Sequence, residues 1–353
     1  MLTSSRYACY APLLLLLSVS FAPLLAACGA RGDLFEGSPP GHVVTTPPPS
    51  GTSTGTPPPP PPTSTPPTHP PPPGSTTLAM GTGDGVTFFA LDPSGMDLVQ
   101  TGRIDFAPRG YAQQKIAFDD EGNLYIDAQA TAAGSGALAG RVDAFRAGAS
   151  GAATPFRTLL GAKTELANVR ALVVDVSGYL YVAVANQNVG SVLAFAPAAN
   201  GDEAPIWSIK PGGRPAGLAL DKSRDLFVAD SENSPIAVFA PQAAGPTTPI
   251  RSIGKNFGDP SAVAVDSNGR VYVSEWHSDS IDFFDANPNA PTVPAIQGPL
   301  TGISAPVDVA VDAKGRIAVA NQGGGVEIFA AGATGNVAPL RKTVGGTSVA
   351  FAH

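Results

Sequence analysis

Asn186, Asp230, Glu275 and Asn321 stand at or beside short polar loops, and their types are the first in this 353-residue chain that could do chemistry. A hard cation such as Ca²⁺ needs several carboxylate, amide or carbonyl oxygens converging on one point. Glu275, Asp230 and Asn186 fall at comparable places in successive segments, so a calcium site is one expectation. The competing one is that each residue ties its own loop to the backbone. Trp276, His277 and Asp279 follow Glu275 directly. An aromatic face beside a polar edge suits contact with a carbohydrate or a peptide. Histidine is scarce: of four in the chain, only His277 and His353 lie beyond residue 78. That argues against a histidine-built zinc site. No Gly-x-Ser-x-Gly elbow accompanies His277, which argues against a Ser-His-Asp triad. The stretch Gly323-Gly324-Gly325 lacks a phosphate-binding context and reads as a turn.

The elements that position these loops recur. Phe145, Phe195, Phe239, Phe284 and Phe329 are each followed ten residues later by a proline, at Pro155, Pro205, Pro249, Pro294 and Pro339. Asp119, Asp175, Asp221, Asp266 and Asp312 each close a short apolar run, the last four at intervals of 46, 45 and 46 residues. A period of that length containing strand-like segments marks a propeller-type array. Residues 261–284 show the unit: an apolar run from Ser261 to Val265, the turn Asp266-Ser-Asn-Gly269, the alternating Arg270-Val-Tyr-Val273, a polar loop, and the apolar Ile281-Asp-Phe-Phe284. With the proline-led segment that follows, this reads as four short strands. No segment carries a 3.6-residue apolar period, so the domain is all-β.

In Asp-x-x-Gly the carboxylate can bond the turn's own N–H groups while glycine accepts positive φ. Arg224 replaces that glycine in one unit. A proline opening the outermost strand would discourage edge-to-edge pairing, because it has no N–H to donate. Residues 86–104 match only the second half of the unit, and Ser348-Val-Ala-Phe-Ala352 matches only its first strand. Two incomplete ends that make one blade imply a closed ring, which removes exposed edges. The expectation is a six-bladed β-propeller of four-stranded antiparallel blades over 78–353.

Pro260-Ser-Ala-Val-Ala-Val-Asp-Ser-Asn-Gly-Arg-Val-Tyr-Val273 is the clearest copy of the repeat, and it resembles the NHL-repeat six-bladed propellers of bacteria. Similar propellers include gluconolactonase-type and other lactone hydrolases, so the resemblance implies a calcium-dependent hydrolase or lactonase as one reading. Their metal ligands do not map position by position onto this chain. Propellers host many unrelated functions. The leading expectation is therefore a non-enzymatic binding or interaction scaffold, with no cofactor required.

Ahead of the repeats, Arg6, the apolar stretch from Leu13 to Leu25 and Leu25-Ala-Ala-Cys28 form a targeting segment. Leu-Ala-Ala-Cys resembles a bacterial lipobox. That implies a signal peptide over 1–27, acylation of Cys28 and several acyl chains, enough for lasting attachment to a membrane. Gly29 rather than aspartate after the cysteine favours the outer membrane, should the cell be Gram-negative. Residues 28–77 join the lipidated N-terminus to a linker, and from Ser38 to Thr77 the chain is almost entirely Pro, Thr, Ser and Gly, a composition that buries nothing and stays extended. At ~3.1 Å per residue, about 40 such residues reach on the order of 100 Å. The plan is a cell-envelope lipoprotein: anchor, stalk, then a head outside the cytoplasm.

Both cysteines, Cys9 and Cys28, precede residue 78, so the head contains no disulfide or thiol chemistry. The net formal charge is −7 and no Lys/Arg cluster is present, which argues against nucleic acid as a partner. The partners expected are the membrane, through the N-terminal lipid, and an envelope protein, peptide or glycan, with a monomeric head.

Overall fold

The computed structural model describes residues 74–352, except 106–114, 128–129, 132–137, 187–188, 232–234, 255–256 and 286–294. Six four-stranded antiparallel sheets are present. From the innermost strand outward, blade 1 contains Ser348–Phe351, Thr76–Thr82, Gly85–Leu91 and Leu98–Asp105, and blade 2 contains Ile116–Phe118, Leu124–Asp127, Arg141–Phe145 and Arg157–Leu160. Blade 3 follows with Val169–Val174, Leu180–Asn186, Val189–Phe195 and Trp207–Ile209, and blade 4 with Pro215–Leu220, Leu226–Asp230, Ile236–Phe239 and Arg251–Ile253. Blade 5 is Pro260–Val265, Val271–Glu275, Ser280–Phe284 and Ile296–Gln297; blade 6 is Pro306–Val311, Ile317–Asn321, Gly325–Phe329 and Arg341–Val344. Each innermost strand touches the innermost strands of both neighbouring blades, so the six close into a ring.

The ring closes as the two chain ends imply. Leu78, Ala79, Met80 and Gly81 pair antiparallel with Phe351, Ala350, Val349 and Ser348. The N-terminal part supplies three of this blade's four strands. Its first strand starts at Thr76, two residues ahead of the expected boundary.

Burial follows the strand alternation. One apolar cluster fills each of the six interfaces between neighbouring blades. Phe145, Phe195, Phe239 and Phe329 are fully buried in them, whereas Phe284 is only partly covered. The repeated phenylalanine is thus the anchor that docks each third strand onto a neighbouring blade. Phe239 of blade 4, for example, shares a cluster with Ala171, Tyr181 and Ala183 of blade 3.

The turn aspartates serve the blades. Asp266 Oδ1 accepts the N–H groups of Asn268 and Arg270 at 2.8 and 3.0 Å. Asp119, Asp175, Asp221 and Asp312 repeat the pattern. Arg224 adopts φ 65°, the left-handed conformation that glycine takes at the same turn position elsewhere.

The prolines do not open the outermost strands as expected. Pro155, Pro205, Pro249 and Pro339 lie two residues before their outermost strands, not within them. The residue after each proline still donates its N–H to the third strand, as Ile250 does to Val238. Proline fixes the chain's approach to the edge, not the edge itself. A short 3-10 turn, Ala162–Thr164, is the one helical element among the described residues.

Candidate functional site

One face of the ring carries the loops from second to third strands together with the entries into the innermost strands. Second-strand ends therefore meet the segment that leads into their own blade. Asp230 Oδ1 accepts the N–H of Arg214 at 2.8 Å. Glu275 Oε2 accepts Gly258 N–H at 2.8 Å and Asp259 N–H at 3.4 Å. Asn321 Oδ1 accepts Ser304 N–H at 3.1 Å, while its amide donates to Gly302 O at 3.1 Å and to Glu327 Oε2 at 2.7 Å. These three residues share one register position, opposite Pro215, Pro260 and Pro306.

Asn186 does not share it. The second and third strands of blade 3 form a longer hairpin, paired out to Asn186 and Val189, so Val184 takes the equivalent place opposite Val169. The expected equivalence of Asn186 with Asp230 and Glu275 is thereby corrected: an apolar residue breaks the series. The Asn186 side chain and Cys28 lie outside the described residues. Among the described residues, no three His, Cys, Asp or Glu side chains are grouped to hold a metal ion.

The loop after Glu275 divides its residues between two blades. Trp276 packs on the blade 6–blade 1 cluster, which contains Leu78, Met80 and Val307. Asp279, at φ 51°, accepts the N–H of Ala305 at 2.6 Å and so latches blade 5 to the entry of blade 6. His277 remains exposed, with its side chain 63% accessible. It lies edge-on to Trp276, ring centroids 4.6 Å apart, and 3.9 Å from Asp259. The Trp-His pair is therefore half packing and half surface.

Glu275 and His277 share a pocket of ≈ 370 Å³ with Phe257, Gly258, Ser278, Asp282 and Phe284. Phe257 and Phe284 meet edge to face, 5.3 Å between centroids. Burial raises the Glu275 pKa; the two backbone N–H bonds oppose this, and the charges of Asp282 and Asp259 add to it. Burial alone raises that of Asp282. In the sequence Phe284 stood out only as a repeat landmark, and neither it nor Asp282 or Phe257 stood among the expected site residues. The signal was there: aspartate interrupts the apolar run Ile281-Asp-Phe-Phe284 at the register position that holds Ala237 in blade 4 and Leu193 in blade 3.

A cavity of ≈ 170 Å³ lies among the innermost strands. Small residues such as Ala171, Gly217 and Ala262 line one side of it. On the other side Lys115 Nζ donates to Val307 O at 2.8 Å and lies 4.0 Å from Asp308. Asp308 in turn accepts Ser348 Oγ at 2.7 Å and Val349 N–H at 3.2 Å. This bridge joins blades 2, 6 and 1 beside the closure strand. Arg170, at the start of blade 3, has its pKa lowered by burial and by the nearby Arg214 charge, with Asp259 opposing.

Comparisons with known proteins agree with this architecture. The NHL repeat family model matches residues 213–239, the first three strands of blade 4. No curated protein matches the chain. Among solved structures, a protein from Lactobacillus plantarum is similar at TM-score 0.53 and 16% identity, covering 79% of this chain and 100% of its own. A protein of unknown function from Bacteroides caccae gives 0.52 at 10%, covering 79% and 99%. A protein from Bacteroides uniformis named as a putative 6-phosphogluconolactonase gives 0.52 at 13%, covering 76% and 83%. At such identities the likeness shows the fold alone. The chain is an NHL-repeat-like six-bladed β-propeller, closed by its own C-terminal strand.

Proposed function

We propose that this protein is a lipid-anchored envelope protein whose propeller is a non-enzymatic binding head for an envelope protein, peptide or glycan. The observation that supports binding is how the loop face is held. Asp230, Glu275, Asp279 and Asn321 each accept a backbone N–H from a neighbouring loop. Side chains engaged in this way fix the shape of a surface, which favours recognition by lowering the ordering cost on binding. The anchor rests on Leu25-Ala-Ala-Cys28 and the Pro/Thr-rich stretch behind it. A lipid on Cys28 would hold the head outside the cytoplasm, on the outer membrane in a Gram-negative cell.

A calcium-dependent hydrolase or lactonase is the second reading, favoured by the name of one fold neighbour. It requires several oxygen ligands converging on one ion. Two measurements test the pair of readings. Labelling with a palmitate analogue should mark the wild type and leave Cys28→Ser unmarked and released from the envelope; equal labelling of both overturns the anchor. The melting temperature should be the same in millimolar calcium and in chelator. A rise of several degrees with calcium overturns the non-enzymatic reading in favour of the metal-dependent one.

A further inference from the structure

Asp143, Asp282 and Glu327 occupy one position in three blades, the third-strand residue paired with Ile126, Val273 and Val319 of the second strand. Two of the three have partners. Asp143 accepts Arg141 Nε at 2.8 Å and Thr158 Oγ1 at 2.6 Å. Glu327 accepts the Asn321 amide at 2.7 Å and faces Lys342 across the ladder. Asp282 has no hydrogen bond or ion pair among the described residues.

Blade 5 lacks both of the donors that blade 6 provides. Glu275 stands where blade 6 has Asn321, so an acceptor replaces a donor. Ile281 pairs with Ile296, which puts Ala295 in the register of Lys342. Glu275 is only 3% exposed. Its Oε2 is held by backbone N–H groups, yet its Oε1 is buried with no donor. A buried acceptor without a donor carries a desolvation cost on the order of 1–3 kcal/mol, more when charged. Asp282 lines the same ≈ 370 Å³ pocket, walled by Phe257 and Phe284.

We propose that this pocket binds the cationic head of an organic ligand, a primary ammonium or guanidinium on an apolar stem, with Asp282 and the Glu275 carboxylate as its acceptors. The proposal names the ligand class of the binding head and rests on that reading. Charge-assisted N–H bonds to two carboxylates match such a head. The edge-to-face phenylalanines suit its stem and add attraction for the cation. A bare divalent ion fits less well, since it wants more oxygens than these two acids present. Such a head can come from a lysine or arginine side chain of a partner, or from a free amine.

The test is ligand-observed NMR on the full chain in detergent, with n-butylamine, agmatine, the blocked pentapeptides Gly-Gly-Lys-Gly-Gly and Gly-Gly-Arg-Gly-Gly, n-butanol and calcium chloride as probes. The amines and peptides should bind saturably at millimolar concentration or below, and butanol at least tenfold more weakly. Peptides binding more tightly than the free amines assign the source to a protein side chain; the reverse assigns it to a small amine. Asp282→Asn, which breaks no hydrogen bond, should weaken binding at least tenfold with an unchanged melting temperature. Glu275→Asn places in blade 5 the donor that blade 6 has, and should abolish binding while the melting temperature holds or rises. No saturable binding to the wild type, equal binding of butanol, undiminished binding by Asp282→Asn, or calcium displacing the amines from the same site overturns the proposal. Failure on these probes leaves the binding-head reading standing, because a partner could still engage the rest of the loop face. Failure of both shows as neither amine binding nor recovery of any envelope partner or glycan with the intact protein.

Discussion

At the scale of single residues, acidic side chains in this propeller do two kinds of work that look alike in sequence. The turn aspartates accept backbone N–H groups and belong to the fold. Glu327 instead sits deep between strands, 6% exposed, where burial raises its pKa to about 7 against the nearby Lys342 charge and the Asn321 amide. The native state then holds a proton that the unfolded chain releases above the ordinary value of 4.5. Between those two values the native state binds more protons, so this group's contribution falls as pH rises through the window and is constant above it. The loss at pH 8 is on the order of 3 kcal/mol at most, from ~1.4 kcal/mol per pKa unit. Glu327→Gln keeps an oxygen for the Asn321 amide and removes the titration. Urea unfolding from pH 4 to 8 should show the variant gaining on the wild type by about 2–3 kcal/mol across that range. A constant difference over the range would show that burial does not raise this carboxyl.

At the scale of elements, the repeat was legible because each landmark has a local cause. Asp-x-x-Gly closes the first hairpin, phenylalanine docks the third strand, and the two half-units at the chain ends pair with one another. The candidate site was less legible. Sequence spacing alone made Asn186 equivalent to Asp230, and only the longer hairpin of blade 3 shows Val184 in that place. Asp282 escaped notice because its meaning depends on residues that are far from it in sequence, namely the Phe257 loop, and on the contrast with Asn321 and Lys342 one blade on. The closure bridge was hidden for the same reason, since Lys115, Asp308 and Ser348 meet only in the folded ring. Asp308 bonds the closure strand twice, so Asp308→Ala should cost about 1.5–3 kcal/mol in urea unfolding, the range for hydrogen bonds to a charged group. Asp105→Ala, which removes an exposed ion pair with Arg103, should cost under about 1 kcal/mol. If the two costs are equal, the bridge adds nothing special to closure.

At the scale of the whole molecule, ring closure decides how damage spreads. Each blade contributes to two apolar clusters, one with each neighbour, and the innermost strands touch in an unbroken cycle. In an open array, stability is close to a sum of unit and nearest-neighbour terms, so a weak interface can let one end fray alone. A closed ring has no end from which to fray. Phe239 is fully buried between blades 3 and 4. Phe239→Ala should therefore cost about 3–5 kcal/mol and lower a single sharp transition. Deleting residues 348–353 removes Val349 and Phe351 from the blade 6–blade 1 cluster and exposes the edge of Thr76–Thr82. The truncated chain should melt earlier and aggregate through that edge. Adding Phe239→Ala to the truncated chain should split its calorimetric melt into two steps, because blades on either side of the weakened interface can now unfold separately. A single transition in the double variant, or two in Phe239→Ala alone, would show that cooperativity does not come from closure.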